Sequence, residues 1–194
     1  MGRFEDAIVA IDAANADDPN QIEVRGERQP KELAHAALMT EWVERLDPTA
    51  TEAQRLAARA HHLRRWSSPR SSYPDGRAAY LRWRTALRQQ HAEEVAGLLI
   101  AVGYDDATVA RVQTIIRKDG LGSDPQVQVH EDALCLVFLE TQLAATTDDL
   151  GDDKMLDVIR KTAAKMSPAG LAQVAELPMR EHDRALIARA LASP

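Results

Sequence analysis

The chain has 194 residues, of which 45% are hydrophobic and 28% are charged, and its formal net charge is −6 at pH 7. These values exclude a disordered chain and predict one globular domain with a substantial core. The single cysteine, Cys135, excludes a disulfide framework and indicates a reducing compartment. The N-terminal residues include early acids and no long apolar run, which argues against a signal peptide or a membrane span. We therefore expect a cytoplasmic protein with no membrane partner.

Hydrophobic residues recur at helical spacing along nearly the whole chain, which predicts an all-α fold of about eight helices. Thr51, Asp105 and Ser167 are predicted N-caps, and Gly103 and Gly120 are predicted helix stops. The predicted helical segments, in chain order, are 4–15, 30–46, 51–66, 77–103, 105–120, the later part of 122–145, 152–166, 167–177 and 180–191.

No strand is predicted, because the segments QIEV (21–24) and VQVH (127–130) are too short to anchor a sheet. The sequence contains no internal repeat and no low-complexity segment. We expect residues 1–147 to form one helical domain and residues 148–194 to form a C-terminal helical extension packed on the same domain.

Positive charge is concentrated in one part of this acidic chain. From Arg55 to Arg88 there are nine arginines and one acid, Asp75, so this segment carries a charge of +8. A confined basic patch favours an anionic ligand such as a phosphate group over general coating of nucleic acid. The alternative is a solvated, arginine-rich pair of helices whose charges are balanced by acids elsewhere.

Candidate metal ligands come from three separate predicted helices. His35 lies inside one, His61 and His62 lie near the end of another, and Asp132 is predicted to open a third. Neutral imidazole and carboxylate are ligands that first-row transition metals accept. Adjacent histidines on a helix point about 100° apart, so both reach one metal only near a helix end. The alternatives are a hydrogen-bonded or exposed histidine pair, a core histidine at 35 and a helix cap at Asp132.

These residues resemble the pattern of the HD-domain superfamily of metal-dependent phosphohydrolases. That pattern is a histidine on one helix, a His-Asp pair on a later helix and a distant aspartate. His35 matches the first histidine, His61 matches the first member of the pair, and Asp132 matches the last aspartate. The resemblance extends over roughly residues 30–145. It implies an all-α fold, a bound metal ion and hydrolysis of a phosphorylated compound.

The sequence departs from that pattern at two positions. His62 occupies the place of the paired aspartate, and a neutral ligand there moves the expected metal preference toward zinc, iron, cobalt or nickel, with manganese also considered. Lys118 stands where two-metal members of the superfamily have another histidine, which implies one metal ion or none. His91 matches a further histidine of the superfamily.

The whole chain is also similar to an uncharacterised family of helical proteins. The similarity is carried by AHHLRRWSSPRSSYPDGRAAYLRWR (60–84), NADDPN (15–20) and EDALCLVFLE (131–140). It supports a helical fold and implies no activity. The run NADDPN is explained by turn chemistry, although it could also form part of a pocket rim.

The predicted function is a metal-dependent phosphohydrolase that acts on a nucleotide or another small phosphorylated compound. The alternative is a non-catalytic module that binds a nucleotide, an RNA end or another anionic partner; a scaffold that docks on an acidic protein is a third option. His130 and His182 are expected to be solvated, and Trp83 is expected in the core. The candidate site residues are His35, His61, His62 and Asp132 for one divalent transition metal, Glu131 and Lys118 for catalysis, Arg64, Arg65, Arg70, Arg77 and Arg84 for the anion, and Trp66, Tyr73 and Tyr80 for base stacking.

Overall fold

The computed structural model describes residues 2–192, and within them it contains ten α-helices, three short 3₁₀ turns and one β-hairpin. The prediction of an all-α fold is confirmed, with more helices than the eight expected. The helices are α1 (Arg3–Ala16), α2 (Lys31–Leu46), α3 (Glu52–Arg59), α4 (Arg77–Ala101), α5 (Asp106–Arg117), α6 (Pro125–Thr141), α7 (Leu143–Leu150), α8 (Asp152–Ala163), α9 (Pro168–Gln173) and α10 (Glu181–Ala192).

The β-hairpin corrects the prediction that the chain has no strand. Strands β1 (Gln21–Val24) and β2 (Glu27–Pro30) pair antiparallel and are joined by two residues, Arg25 and Gly26. Both joining residues have positive φ, at 54° and 84°, which is the backbone of a tight hairpin turn that favours glycine. Strands of four residues give too little alternation to be recognised in a sequence, and the hairpin has only this one pairing.

The connection between α1 and α2 is fixed by the buried side chain of Asp18. Its carboxylate accepts hydrogen bonds from the backbone N–H of Asn20, at 2.9 Å, and from the backbone N–H of Glu32, at 3.0 Å. The second bond satisfies one of the free N–H groups in the first turn of α2. The run NADDPN is therefore a turn that also holds the first turn of α2. This turn contains Glu32 and is followed directly by His35.

Helix α3 is shorter than predicted, and this changes the geometry of the histidine pair. Thr51 and Gln54 form the expected capping box, but the helix ends at Arg59. His61 and His62 lie in the irregular turn that follows, which continues to Arg64 in a left-handed conformation with φ 49°. Because the two histidines are not helical neighbours, the angular restriction of a helix does not apply to them.

Helix α6 begins earlier than predicted. Its N-cap is Asp124, whose side chain accepts from the N–H groups of Gln126 and Val127, and Pro125 occupies the first helical position. Asp132 therefore lies in the third turn of α6, and the prediction that Asp132 opens this helix is wrong.

The buried hydrophobic side chains form two clusters. One joins α1, α3, α4 and α5 around residues such as Ile11 and Leu56. The other joins α2 and α6 to the C-terminal helices, so that Met39 and Leu136 share a cluster with Met155 and Leu186. Residues 152–192 thus pack into the same core as the helices that carry the histidines. None of the helices within residues 2–192 combines the length and apolarity that crossing a bilayer requires.

We predict that Asp18→Ala lowers the free energy of unfolding by about 1–2 kcal/mol, because it leaves the first turn of α2 without its side-chain acceptor. The matched control is Asp17→Ala, since Asp17 is exposed and makes no side-chain hydrogen bond among those described. The control should stay within about 0.5 kcal/mol of wild type in denaturant unfolding. Equal stability of the two variants would contradict the role given to Asp18.

Candidate functional site

Five of the six histidines lie in one cluster, in which all but the half-buried His62 are buried. The ring of His35 stacks on that of His62 with centroids 4.1 Å apart, and His62 lies 4.5 Å from His61. His61 continues the chain of contacts to His130, at 4.6 Å, and His62 lies 5.8 Å from His91. We call these five residues the histidine cluster. They converge from α2, the turn after α3, α4 and α6.

Burial keeps the rings of the histidine cluster neutral. Loss of hydration lowers the pKa of His35 and of His130 to about 3 and that of His91 to about 4. The pKa values of His61 and His62 lie well below the ordinary value for the same reason, reinforced by neighbouring positive charges. Neutral imidazole is the form that binds a metal ion, so the cluster is in its ligand-competent state near neutral pH.

Glu32 places a carboxylate beside this cluster. It lies in the first turn of α2, three residues before His35 and on the same side of the helix, and it is 5% exposed. Burial raises its pKa to about 7, even though the positive charges of Arg65 and Lys31 oppose the increase. The buried carboxyl group is therefore poised between its protonated and ionised forms near neutral pH.

The hydrogen bonds of His62 define its tautomer. Nε2 lies 2.7 Å from Nη1 of Arg65, and Nδ1 lies 3.1 Å from Oε2 of Glu32. A guanidinium group can only donate, so Nε2 accepts and Nδ1 carries the proton that it donates to Glu32. Arg65 and Glu32 thus hold the imidazole from both sides.

Glu32, His35 and His62 could hold a metal ion. Each offers a ligand atom, and these atoms all lie within 4.8 Å of one another. Both ring nitrogens of His35 are buried and have no hydrogen-bond partner among the residues described, which is costly unless a ligand binds there. Two imidazoles and one carboxylate are a donor set known for zinc and for iron, so the side chains fit the transition metals expected from the sequence.

Four residues of the histidine cluster, all except His130, form part of the wall of a cavity of about 520 Å³. Among the described residues that line it there are six cationic side chains and no acid. A ligand that enters this cavity therefore meets an excess of positive charge close to the candidate metal site. The cations come from the turn after α3, from α4, from the end of α5 and from α8 and the turn after it: Arg65, Arg84, Arg88, Lys118, Lys161 and Lys165.

Two aromatic side chains of α4 form another part of the wall. The rings of Tyr80 and Trp83 are tilted toward each other with centroids 5.8 Å apart, and Tyr80 is 41% exposed. Trp83 is buried, as expected from the sequence, and its Nε1–H donates to the carbonyl of Ser68 at 2.9 Å. The guanidinium of Arg65 lies 5.2 Å from the Trp83 ring centroid. An aromatic face beside cations can stack a planar ring.

Glu131 is held by two lysines and does not face the histidines as a free base. It is 1% exposed, its Oε2 forms a very short contact with Nζ of Lys118, and its Oε1 lies 3.2 Å from Nζ of Lys165. Burial alone would raise the pKa of Glu131, but the two ammonium groups hold it below its ordinary value. The predicted catalytic pair of Glu131 and Lys118 is thus a buried ion pair whose lysine lines the cavity.

The structure does not place Asp132 with the histidines. Its carboxylate accepts from the backbone N–H of Ser167 at 2.8 Å, from the Ser167 hydroxyl at 2.5 Å and from the amide of Gln128 at 3.0 Å. A β-carbon added at Gly170 would lie 2.6 Å from Cγ of Asp132, so the backbone of α9 packs directly on this side chain. Asp132 ties α6 to α9, and Glu32 supplies the carboxylate expected from Asp132.

The other predicted anion-binding and stacking residues divide between the cavity and the surface. Arg65, Arg84 and Tyr80 line the cavity. Arg70 instead donates to the carbonyls of Tyr73 and Pro74 and braces its own loop. Five of these predicted residues do not line the cavity: Arg64, Arg70, Arg77, Trp66 and Tyr73.

Several residues of the site were not predicted from the sequence. The sequence did contain a signal for Glu32, because an acidic residue three positions before His35 lies on the same side of the helix. His130 was expected to be solvated, and that expectation is wrong because it is 1% exposed and its Nε2 lies 2.7 Å from Nδ1 of His61. Lys161 and Lys165 had no recognisable signal, since they reach the cavity only through the packing of α8. The exposed position of His182 agrees with the prediction.

A family model described as "Domain of unknown function (DUF4202)" matches residues 5–187. The chain belongs to this family. No curated protein and no solved structure matches the chain. Membership in DUF4202 carries no stated activity, and the resemblance to the HD-domain superfamily stays a prediction.

We predict that Glu32→Gln stabilises the metal-free protein at pH 8 and not at pH 4. The folded protein keeps the Glu32 proton up to a pKa of about 7, whereas its ordinary value is 4.5. Stability is therefore lost as pH rises through this window, and the neutral amide avoids a cost on the order of 2–3 kcal/mol. Denaturant unfolding in the presence of a chelator measures the difference.

The control for this prediction is Glu44→Gln, which changes an exposed carboxylate on the same helix. It should alter stability by no more than about 0.5 kcal/mol at either pH. If Glu32→Gln were as stable as wild type, or less stable, at pH 8, the raised pKa of Glu32 would be refuted.

Proposed function

We propose that this DUF4202 protein is a metal-dependent phosphohydrolase that acts on a nucleotide or another small phosphorylated compound. One observation carries the proposal: ligand atoms of Glu32, His35 and His62 lie within 4.8 Å of one another beside a cavity of about 520 Å³ lined by cations and by no acid among the described residues. A metal site next to an anion-binding surface is what hydrolysis of a phosphate ester requires.

Glu32, His35 and His62 would hold the metal ion, and zinc, iron, cobalt, nickel and manganese are the candidates. When bound, such an ion polarises a phosphoryl oxygen and lowers the pKa of water. Glu32 contributes the negative charge of the site, because its carboxyl group ionises fully once a cation replaces the proton that burial retains. His61, adjacent to His62, adds a further neutral imidazole to the same wall.

Three arginines of the cavity would bind the phosphate group. Arg84 and Arg88 lie one turn apart on α4, so their guanidinium groups approach the cavity from the same side. Arg65 lies closest to the candidate metal site through its contact with His62. Planar guanidinium groups match the geometry of phosphate oxygens and offset the charge that develops during hydrolysis.

A hydrogen bond between two rings of the histidine cluster would fix the orientation of His61 in the cavity wall. Nδ1 of His61 lies 2.7 Å from Nε2 of His130, and burial holds the pKa of both rings well below the ordinary value. His61 would therefore face the substrate as a neutral hydrogen-bonding group. Tyr80 and Trp83 would stack the base when the substrate is a nucleotide.

One observation favours the alternative of a non-catalytic binding module. Both ring nitrogens of His62 already have partners, Glu32 and Arg65, without a metal ion. If His62 held a metal ion through Nδ1, its remaining proton would lie on Nε2, and Arg65 would have to turn away. In the binding module the cavity cations would hold a nucleotide, an RNA end or another anionic partner without turnover, and binding would weaken as salt increases.

We predict about one transition metal ion per chain in protein purified without a histidine tag, and release of phosphate from members of a nucleotide panel. His35→Ala should reduce metal affinity on the order of 10²-fold or more and abolish phosphate release, because it removes a direct ligand. His182→Ala is the matched control, since His182 is exposed and outside the histidine cluster. Elemental analysis and a phosphate assay give the two readouts.

Asp132→Asn separates the ligand set of the structure from the one expected from the sequence. We expect this variant to keep its metal ion and to lose stability, because Asp132 binds Ser167 and Gln128. Loss of metal from Asp132→Asn with retention in His35→Ala would contradict the assignment of Glu32, His35 and His62. If the wild-type protein contains no metal and binds nucleotides without turnover, the non-catalytic binding module is favoured over the enzyme.

A further inference from the structure

Three lysines of the cavity have no role in the hydrolysis proposed above. Lys118 follows the last residue of α5, Lys161 lies in α8, and Lys165 lies in the turn after α8. All three line the same cavity as Arg65 and His62. We call these three residues the lysine subsite.

The lysine subsite is built on one buried carboxylate. Glu131 contacts the ammonium groups of both Lys118 and Lys165 and is 1% exposed. One carboxylate compensates one of the two charges, and Lys161 has no acidic partner among the described residues. The subsite therefore keeps a positive excess of about two charges directed at the cavity.

Lys118 occupies its position at a cost to the fold. Its φ and ψ of 64° and 34° are left-handed, a conformation that glycine adopts freely and that is unfavourable for a residue with a β-carbon. Its side chain is 7% exposed, so the ammonium group also loses hydration. A buried ion pair is weak evidence for stability. Strained residues concentrate at binding sites, where the side chain that the strain positions is used.

The charge of the cavity exceeds that of one phosphate group. Six cations line it in the described part of the chain, where Glu131 and Glu32 are the acids in contact with the cavity side chains. At least four positive charges remain, whereas a phosphate monoester carries at most about two negative charges. We propose that the ligand carries two or more phosphoryl groups and that the lysine subsite binds the group that is not hydrolysed. This inference rests on the proposed function for the identity of the reacting group.

The chemical class is a diphosphorylated compound, with its phosphates either joined to each other or carried on separate carbons. Pyrophosphate compared with orthophosphate tests the first arrangement, and fructose 1,6-bisphosphate compared with fructose 6-phosphate tests the second. Binding of each probe to the whole protein is measured by isothermal titration calorimetry. We expect the diphosphorylated member of at least one pair to bind at least about tenfold more tightly than its partner, as one or two additional charge-assisted contacts provide.

The test variant is Lys161→Met with Lys165→Met, because both side chains are exposed and their replacement leaves the core intact. It should abolish the preference, and Lys161→Met alone, which breaks no ion pair, should reduce it. The matched control is Lys154→Met, an exposed lysine of α8 that does not line the cavity. Wild type without a preference in either pair, or a preference that survives the double substitution, would overturn the inference.

The two proposals fail separately. Metal content and phosphate release from monoesters test the phosphohydrolase, and these readouts do not depend on the lysine subsite. If the wild-type protein holds metal and hydrolyses monoesters but binds both members of each probe pair equally, the proposed function stands and the lysine subsite is refuted. If the protein has no metal and no turnover but binds the diphosphorylated probe more tightly, and the lysine substitutions abolish this difference, the lysine subsite stands and the phosphohydrolase is refuted.

Discussion

Five imidazole rings lie together in the interior of this protein, and their burial constrains everything around them. Burial removes most of their hydration, so the rings cannot be protonated near neutral pH without a large cost. Neutral rings offer lone pairs, and the two nitrogens of His35 have no partner within residues 2–192. A carboxylate, Glu32, is buried against the same rings with a raised pKa. The cation proposed to bind there would satisfy the imidazoles and the carboxylate together.

The positions at which helices start and end bring these groups together. Asp18 fixes the first turn of α2 and with it Glu32. The early end of α3 places His61 and His62 in an irregular turn, where adjacent side chains can face the same side. The long helix α4 then supplies His91, two of the cavity arginines and the aromatic wall, while Lys161 of α8 and Lys165 of the turn after it add further positive charge. The candidate metal ligands His35 and His62 and the cationic side chains thus line one cavity, although they come from most of the length of the chain.

The sequence predicted the helical class and much of the site, because apolar periodicity and the clustering of histidines and arginines are local signals. Helix ends were harder to predict. The apolar periodicity of α3 continues past Arg59, where the helix ends, and α6 starts early, after its N-cap Asp124, so that Asp132 lies in a different environment from the one expected. Asp132 resembled a ligand by its place in a motif, yet its neighbours in space are Ser167 and Gln128. Lys165 depends on the packing of α8 against the cavity, which no local pattern records.

X-ray absorption spectroscopy of the zinc-loaded protein tests the proposed metal centre most directly. A zinc ion held by Glu32, His35 and His62 should show a first coordination shell with imidazole scattering from at least two histidines together with oxygen, at about 2.0–2.2 Å, and His35→Ala should lose that scattering. A shell of oxygen ligands alone, or an imidazole signal that His35→Ala leaves unchanged, would contradict the claim that Glu32, His35 and His62 form the metal centre.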